Sequence, residues 1–164
     1  MSKLEQLKTK IYTPEKLKSQ LAIWAFQNKK VVFTNGCFDL LHLGHIDYLS
    51  KAKDLGDILI IGLNTDKSVR NIKGESRPIT DEFSRASILA SLSFVDAVIF
   101  FGEETPYDLI NFVQPDILVK GSDYNEEDIV GYDIVKAKGG EVKTLDFLVG
   151  YSTSAIEKKI RNEK

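Results

Sequence analysis

Apolar residues in this chain follow two patterns that take turns. Lys30–Phe33, Asp57–Leu63, Ala97–Phe101, Ile117–Val119 and the shorter Glu141–Leu145 are compact runs that predict five strands. Those that are apolar nearly throughout read as strands buried on both faces, which have no solvent side to mark with alternate polar residues. Between the runs, apolar residues recur at three- and four-residue spacing. Thr13 and Pro14 open a helix that carries Leu17, Leu21 and Trp24 towards Gln27, with Thr13 as N-cap and Pro14 in the first position. Ile46, Leu49, Ala52 and Leu55 predict a second helix, with Gly56 as its C-cap. A third begins near Thr80, with Asp81 and Glu82 in its first turn and Ile88, Leu89 and Leu92 facing inward. Thr105 as cap and Pro106 in the first turn lead into Leu109, Ile110 and Val113, and Pro115 stops that helix. Asp128–Lys138 predicts a further helix closed by Gly139-Gly140, and Thr153–Ile160 a last one.

Strands and helices in alternation predict right-handed βαβ units. The expected fold is α/β: a single Rossmann-like domain with a parallel sheet of about five strands and helices on both faces. Residues 1–29 form a helical arm ahead of the main body at 30–164. The apolar side of that arm must pack on the body or on a second copy, so a homodimer and a folded-back monomer fit equally. In such sheets ligands bind beyond the carboxyl ends of the strands. Asn35-Gly36, Asn64-Thr65-Asp66, Lys120-Gly121-Ser122-Asp123 and Ser152-Thr153-Ser154 all follow strands, on that one edge.

Composition narrows the functional classes. The chain has 164 residues, 43% of them hydrophobic, enough for one sizeable core. A net charge of −2 with mixed signs gives no nucleic-acid-binding surface. No apolar stretch approaches the roughly 20 residues of a membrane span. A single cysteine, Cys37, allows no internal disulfide, and the first residues lack the apolar core of a signal peptide, so a cytoplasmic setting is expected.

The chain has two histidines, and both lie in one run, Thr34-Asn35-Gly36-Cys37-Phe38-Asp39-Leu40-Leu41-His42-Leu43-Gly44-His45. This run joins a strand to a helix start, where free backbone N–H groups and partial positive charge bind anions. Two imidazoles there point to phosphate. A pair of histidines is also half of a metal site, but zinc would need a third histidine or more cysteines. Asp39 could complete a site for a hard cation, which imidazole pairs do not suit. Phosphate binding is the favoured reading, with no metal held by the protein itself.

The run Gly36-x-Phe38-Asp39-x-x-His42-x-Gly44-His45 resembles the signature of the HxGH-motif nucleotidyltransferases, which include cytidylyltransferases and adenylyltransferases on a Rossmann-like fold. The resemblance extends through Val31 to Ile160. Within that family, Arg77-Pro78-Ile79, Leu118–Tyr124 and Gly150–Ser154 look closest to the heptose 1-phosphate adenylyltransferase branch, in a stand-alone form without a kinase. Cys37 stands where cytidylyltransferases usually have Thr, and Phe147-Leu148-Val149-Gly150 replaces their Arg-Thr-x-Gly.

The resemblance makes 30–164 a nucleotidyltransferase domain and implies attack of a sugar 1-phosphate on the α-phosphorus of ATP. Magnesium would be held mainly by the ATP phosphates. His42, His45 and Lys120 would act on the phosphates. Thr34, Asn35, Gly36, Cys37, Phe38, Gly44, Gly121, Ser152, Thr153 and Ser154 would join Lys120 in binding the nucleotide. Gly44 would leave room for the nucleotide to approach. Lys73 and Arg77, in a glycine-containing loop, and Arg85, Asp39, Asp123 and Tyr124 would meet the substrate. Ordinary alternatives stand beside these: an Asx turn for Asp123, an ion pair with Asp81 for Arg85, pairing with backbone in the turn for Asp39, and solvated charges for Lys73 and Arg77. Tyr48, Tyr107, Tyr132 and Trp24 read as packing. Rival readings are a cytidylyltransferase acting on a small polyol or amino-alcohol phosphate, and a nucleotide sensor without catalysis. A dinucleotide oxidoreductase would need a Gly-x-Gly-x-x-Gly that is absent after the first strand.

Overall fold

The structure is a computed structural model and describes residues 1–162. Its centre is β2 (Val31–Gly36), β3 (Ile58–Asn64), β4 (Ala97–Phe101), β5 (Ile117–Gly121) and β6 (Glu141–Leu145), the five runs expected from hydrophobicity. A sixth strand, β1 (Ile11–Tyr12), extends the sheet by pairing with β4. Two residues between helices leave almost no periodic signal, which is why the sheet has six strands rather than about five. All pairings are parallel, in the order β1-β4-β3-β2-β5-β6. From β2 the chain builds outward through β3 and β4, then returns to place β5 on the other side. Strand order therefore reverses between β2 and β5, and the crevice beyond their carboxyl ends is where such sheets hold ligands.

Helices cover both faces: α1 (Lys3–Lys8), α2 (Pro14–Phe26), α3 (Leu43–Lys53), α4 (Asp66–Lys73), α5 (Glu82–Ser91), α6 (Tyr107–Val113), α7 (Tyr132–Ala137) and α8 (Thr153–Asn162). One core layer gathers Leu17, Trp24, Phe33, Ile60, Ile99, Ile110 and Leu118; the other gathers Val32, Leu49, Leu59, Ile61, Leu89, Val98 and Val119. The arm is folded back. Leu17 of α2 is fully buried and β1 is part of the sheet.

Thr13 caps α2 as expected, its Oγ1 accepting from Lys16 N at 3.4 Å. Elsewhere the boundaries shift for identifiable reasons. Helix α3 ends at Lys53, ahead of Gly56, where an added Cβ would lie 2.8 Å from the Lys30 carbonyl oxygen. Gly56 thus permits close packing rather than capping a helix. Pro106 rather than Thr105 is the capping position of α6. The segment expected as one helix from Asp128 divides into a 3-10 turn, Glu126–Asp128, and α7, separated by Gly131 at φ 91°. Helix α4 has no counterpart among the expected helices: its polar composition hides a helix capped by Thr65, whose Oγ1 accepts from Ser68 N at 3.3 Å.

Candidate active site

Strand β2 delivers Asn35 and Gly36 to the switch point, and the loop after it delivers Cys37, Phe38 and Asp39. His42 is the N-cap of α3 with no side-chain capping bond, and His45 lies in the first turn. The two rings stack, centroids 3.9 Å apart and planes 23° from parallel, with Phe38 edge-on to His45 at 5.3 Å. The Nδ1 atoms of both are buried without a hydrogen bond of good geometry among the described residues, although the Leu40 backbone is near enough to His45 to oppose its lowered pKa slightly. Burial holds His45 down to about 4, with His42 beside it adding to the effect. Burial lowers His42 as well. Burial thus favours the neutral form of both imidazoles, in which each ring has one N–H to donate.

A cavity of about 380 Å³ opens here, lined by Asn35, Cys37, His45, Lys120, Asp123 and Thr153 among others. Lys120, on β5 across the switch point, has no ion pair or hydrogen bond among the described residues. Burial lowers it to about 8, although Asp123 and Cys37 pull the other way. Lys73 closes one side from the last turn of α4, a helix rather than the loop expected. Tyr124 and Asp123 form the rim with Gly121, whose missing Cβ would lie 2.2 Å from the Phe147 ring. Ser152 caps α8, its Oγ accepting from Ala155 N at 3.1 Å, so one hydroxyl of the three has the ordinary capping role. Thr153 lines the cavity, while Ser154 is exposed at the helix start.

Several of the expected ligand residues also carry structural bonds, Asp39 among them although it lines the cavity. The buried Asp39 carboxylate accepts from Arg77 Nη1 at 2.7 Å, Ile79 N at 2.8 Å and Thr80 N at 3.0 Å. Burial alone would raise its pKa, but these bonds outweigh it and hold it below the usual value. Asp39 is therefore spent on the loop. Arg77, expected to meet substrate, also pairs with Glu157 Oε2 at 2.5 Å. Arg85 is 1% exposed and donates to Cys37 O at 2.6 Å, Thr80 O at 3.1 Å and Asp66 Oδ1 at 2.8 Å. Its ion pair is with Asp66 rather than the Asp81 considered from sequence. Thr34 is fully buried and bonded to the Tyr48 hydroxyl at 2.9 Å, behind the cavity rather than in it. A Cβ on Gly44 would meet the His42 ring at 3.1 Å and Tyr151 Cβ at 3.2 Å. Its bareness thus makes room for the protein's own imidazole.

Three cavity residues lie outside the site expected from sequence: Asn64, Tyr48 and Phe147. Asn64 carried a signal, since it ends a strand on the ligand edge; its Oδ1 accepts from Cys37 Sγ at 3.8 Å. Burial is the main influence raising the Cys37 thiol, which keeps it protonated and a packing group. No group of three or more metal-binding side chains occurs among the described residues, and no helix there is long and apolar enough to cross a membrane.

The chain is 54% identical over 153 residues to a bifunctional protein HldE of Campylobacter jejuni, covering 92% of this chain and 32% of that protein. It is 58% identical over 134 residues to the bifunctional protein HldE of Citrifermentans bemidjiense, covering 82% and 28%. It thus spans about a third of the length of these relatives. A crystal structure of the lipopolysaccharide core biosynthesis protein from Thermoplasma volcanium is 34% identical, with a TM-score of 0.61, over 73% of this chain and 97% of that one. A pantoate-beta-alanine ligase from Francisella tularensis shares the fold, with a TM-score of 0.62 at 17% identity, over 92% of this chain and 76% of that one. The cytidylyltransferase-like family matches residues 33–159. By that match, and by the histidine pair at the switch point within it, the chain belongs to the cytidylyltransferase-like family.

Proposed function

We propose that the protein transfers AMP from ATP to a sugar 1-phosphate, D-glycero-β-D-manno-heptose 1-phosphate, releasing pyrophosphate and giving an ADP-heptose for lipopolysaccharide or other cell-surface heptose. The observation that carries this reading is the cavity at the switch point, lined by His45, whose ring is stacked on that of His42, and by an unpaired ammonium, Lys120. The sugar is supported by the shared motifs of the heptose branch and by the likeness to the lipopolysaccharide core biosynthesis protein of Thermoplasma volcanium. An ATP-dependent reaction accords with a cytoplasmic setting, and residues 30–164 would carry the transferase with the arm packed on it.

A sugar phosphate oxygen attacks the α-phosphorus; the new O–P bond forms as the bond to the bridging oxygen of pyrophosphate breaks. A phosphate monoester is already ionised at neutral pH, so no strong base is required. The protein's part is positioning and stabilisation of spreading charge. Nε2–H donors from His42 and His45 strengthen as negative charge gathers on the α-phosphoryl oxygens. Lys120, Lys73 and the Ser152–Ser154 helix start take the β and γ phosphates, while Asp123 and Tyr124 face the sugar. The free Asp123 carboxylate stands alone at the rim, with no cage of carboxylates around it among the described residues. Magnesium would accordingly enter on the triphosphate and neutralise its charge, with water and phosphate oxygens as its ligands.

Pyrophosphate release measured with ATP or CTP against a panel of sugar 1-phosphates and polyol phosphates tests the reading. ATP with the heptose 1-phosphate is expected to give the highest kcat/KM. Preference for CTP with a polyol or amino-alcohol phosphate would replace this reading with the cytidylyltransferase one, and nucleotide binding without turnover would leave a sensor.

A further inference from the structure

Helix α8 is shallowly seated. None of its described side chains is fully buried; Thr153, Ile156 and Glu157 are half-buried and the others exposed. Yet Thr153 lines the cavity, and Tyr151, just before the helix, stands against Gly44 beside the His42 ring. The start of α8 thus sits at the phosphate site with little apolar packing to fix it there. Glu157 lies one turn beyond Thr153, and its carboxylate meets Arg77, whose other Nη nitrogen holds Asp39. Asp39 stands three residues before His42 and accepts the backbone N–H groups of Ile79 and Thr80. One planar guanidinium therefore spans two carboxylates, one on the loop of the histidine motif and one on the last helix. The side chains of Arg77 and Glu157 are only 13% and 22% exposed. This separates the pair from the fully solvated ion pairs that contribute almost nothing.

The geometry points to Arg77 as a positioning residue: held between Asp39 and Glu157, it sets where the start of α8 stands over the bound triphosphate. This rests on the cavity being the phosphate site. Losing the link leaves the imidazoles and Lys120 in place but lets α8 drift, so the donors of Ser152 and Thr153 must be ordered when nucleotide binds. An ordering cost of that kind weakens nucleotide binding while leaving the chemical step largely intact.

Glu157→Gln removes the charge but spares Arg77–Asp39, and Glu157→Asp restores the charge on a shorter stem. In the full chain, Glu157→Gln is expected to raise KM for ATP about tenfold with kcat changed less than about threefold. KM for the sugar phosphate should stay near the wild-type value, and Glu157→Asp should recover part of the loss. Amide hydrogen exchange of the free protein should quicken over residues 155–160 and stay unchanged at Ile79 and Thr80. Unchanged exchange in α8 together with an unchanged KM for ATP would overturn the assignment, as would a loss confined to kcat. Should none of the sugar phosphates support turnover, exchange in α8 and ATP affinity by calorimetry decide the matter alone, so failure of the transferase reading stays distinct from failure of this one.

Discussion

The proposed transfer gives His42 and His45 the part of neutral donors, and the distinction has consequences at the bench. His42→Ala is expected to lower kcat by about a hundredfold or more with little change in thermal midpoint, because the half-exposed ring supports no core packing. Turnover near that of the wild type would remove the assigned role. Lys120 gives a pH signature of definite sign. Its pKa is lowered from 10.5 to about 8, so the ammonium is lost from the free enzyme as pH rises through 8. The value of kcat/KM should fall there, and Lys120→Arg, which keeps its charge, should move the fall beyond the measurable range. Unfolding measurements should show the opposite trend. Between about pH 8 and 10.5 the unfolded chain binds more protons at this residue, so its contribution to stability rises with pH. The histidines, Lys120 and Asp123 were legible in the sequence because each is a strong chemical type at a strand end or helix start. Asp39, Arg77 and Arg85 are equally strong chemical types, but each is already paired within the protein. A charged residue near a phosphate motif looks like a ligand until its partners, 38 or more residues away for Asp39, are seen to occupy it.

The loops and helices around the cavity are joined by one polar chain: Glu157, Arg77, Asp39, the backbone of residues 79–80, Arg85, and then Cys37 and Asp66. It ties α8, the loop before α5, the histidine loop and α4 into a single frame. Arg85 is its most enclosed member. Replacing it with Leu leaves the Cys37 and Thr80 carbonyls and the Asp66 carboxylate short of a donor. Because Asp66 keeps a quarter of its side chain in water, the loss should be about 2–3 kcal/mol, below that of a wholly enclosed pair. Urea denaturation of Arg85→Leu checks this, and a loss under about 0.5 kcal/mol would mean the frame holds without it. None of this had a local sequence signal. Hydrophobic spacing located most of the helices, but what a helix is bolted to depends on pairs distant in the chain, and the short, mostly polar α4 offers only Val69 and Ile72 as an apolar stripe.

At the scale of the molecule, alternation of apolar runs and helical repeats was sufficient for the parallel α/β architecture and for the edge that holds the cavity. The sixth strand and the seat of the arm were not readable, because β1 is two residues long and an amphipathic helix declares that it packs, never upon what. Leu17 answers the second question: it is fully buried in the same cluster as Phe33 and Leu118. Leu17→Ala should therefore cost about 3 kcal/mol in a single cooperative transition that includes the sheet. Separate melting of the arm would make it an independent unit. The cavity itself has an uneven construction. Its floor and charged walls come from rigid strand ends and a helix start, whereas its roof on one side is the Phe147 ring, resting where Gly121 has no side chain. On the proposed reading, admission and chemistry fall to different stretches of the polypeptide, and trimming one aromatic ring would widen the girth of an acceptable guest without touching the groups assigned to transfer.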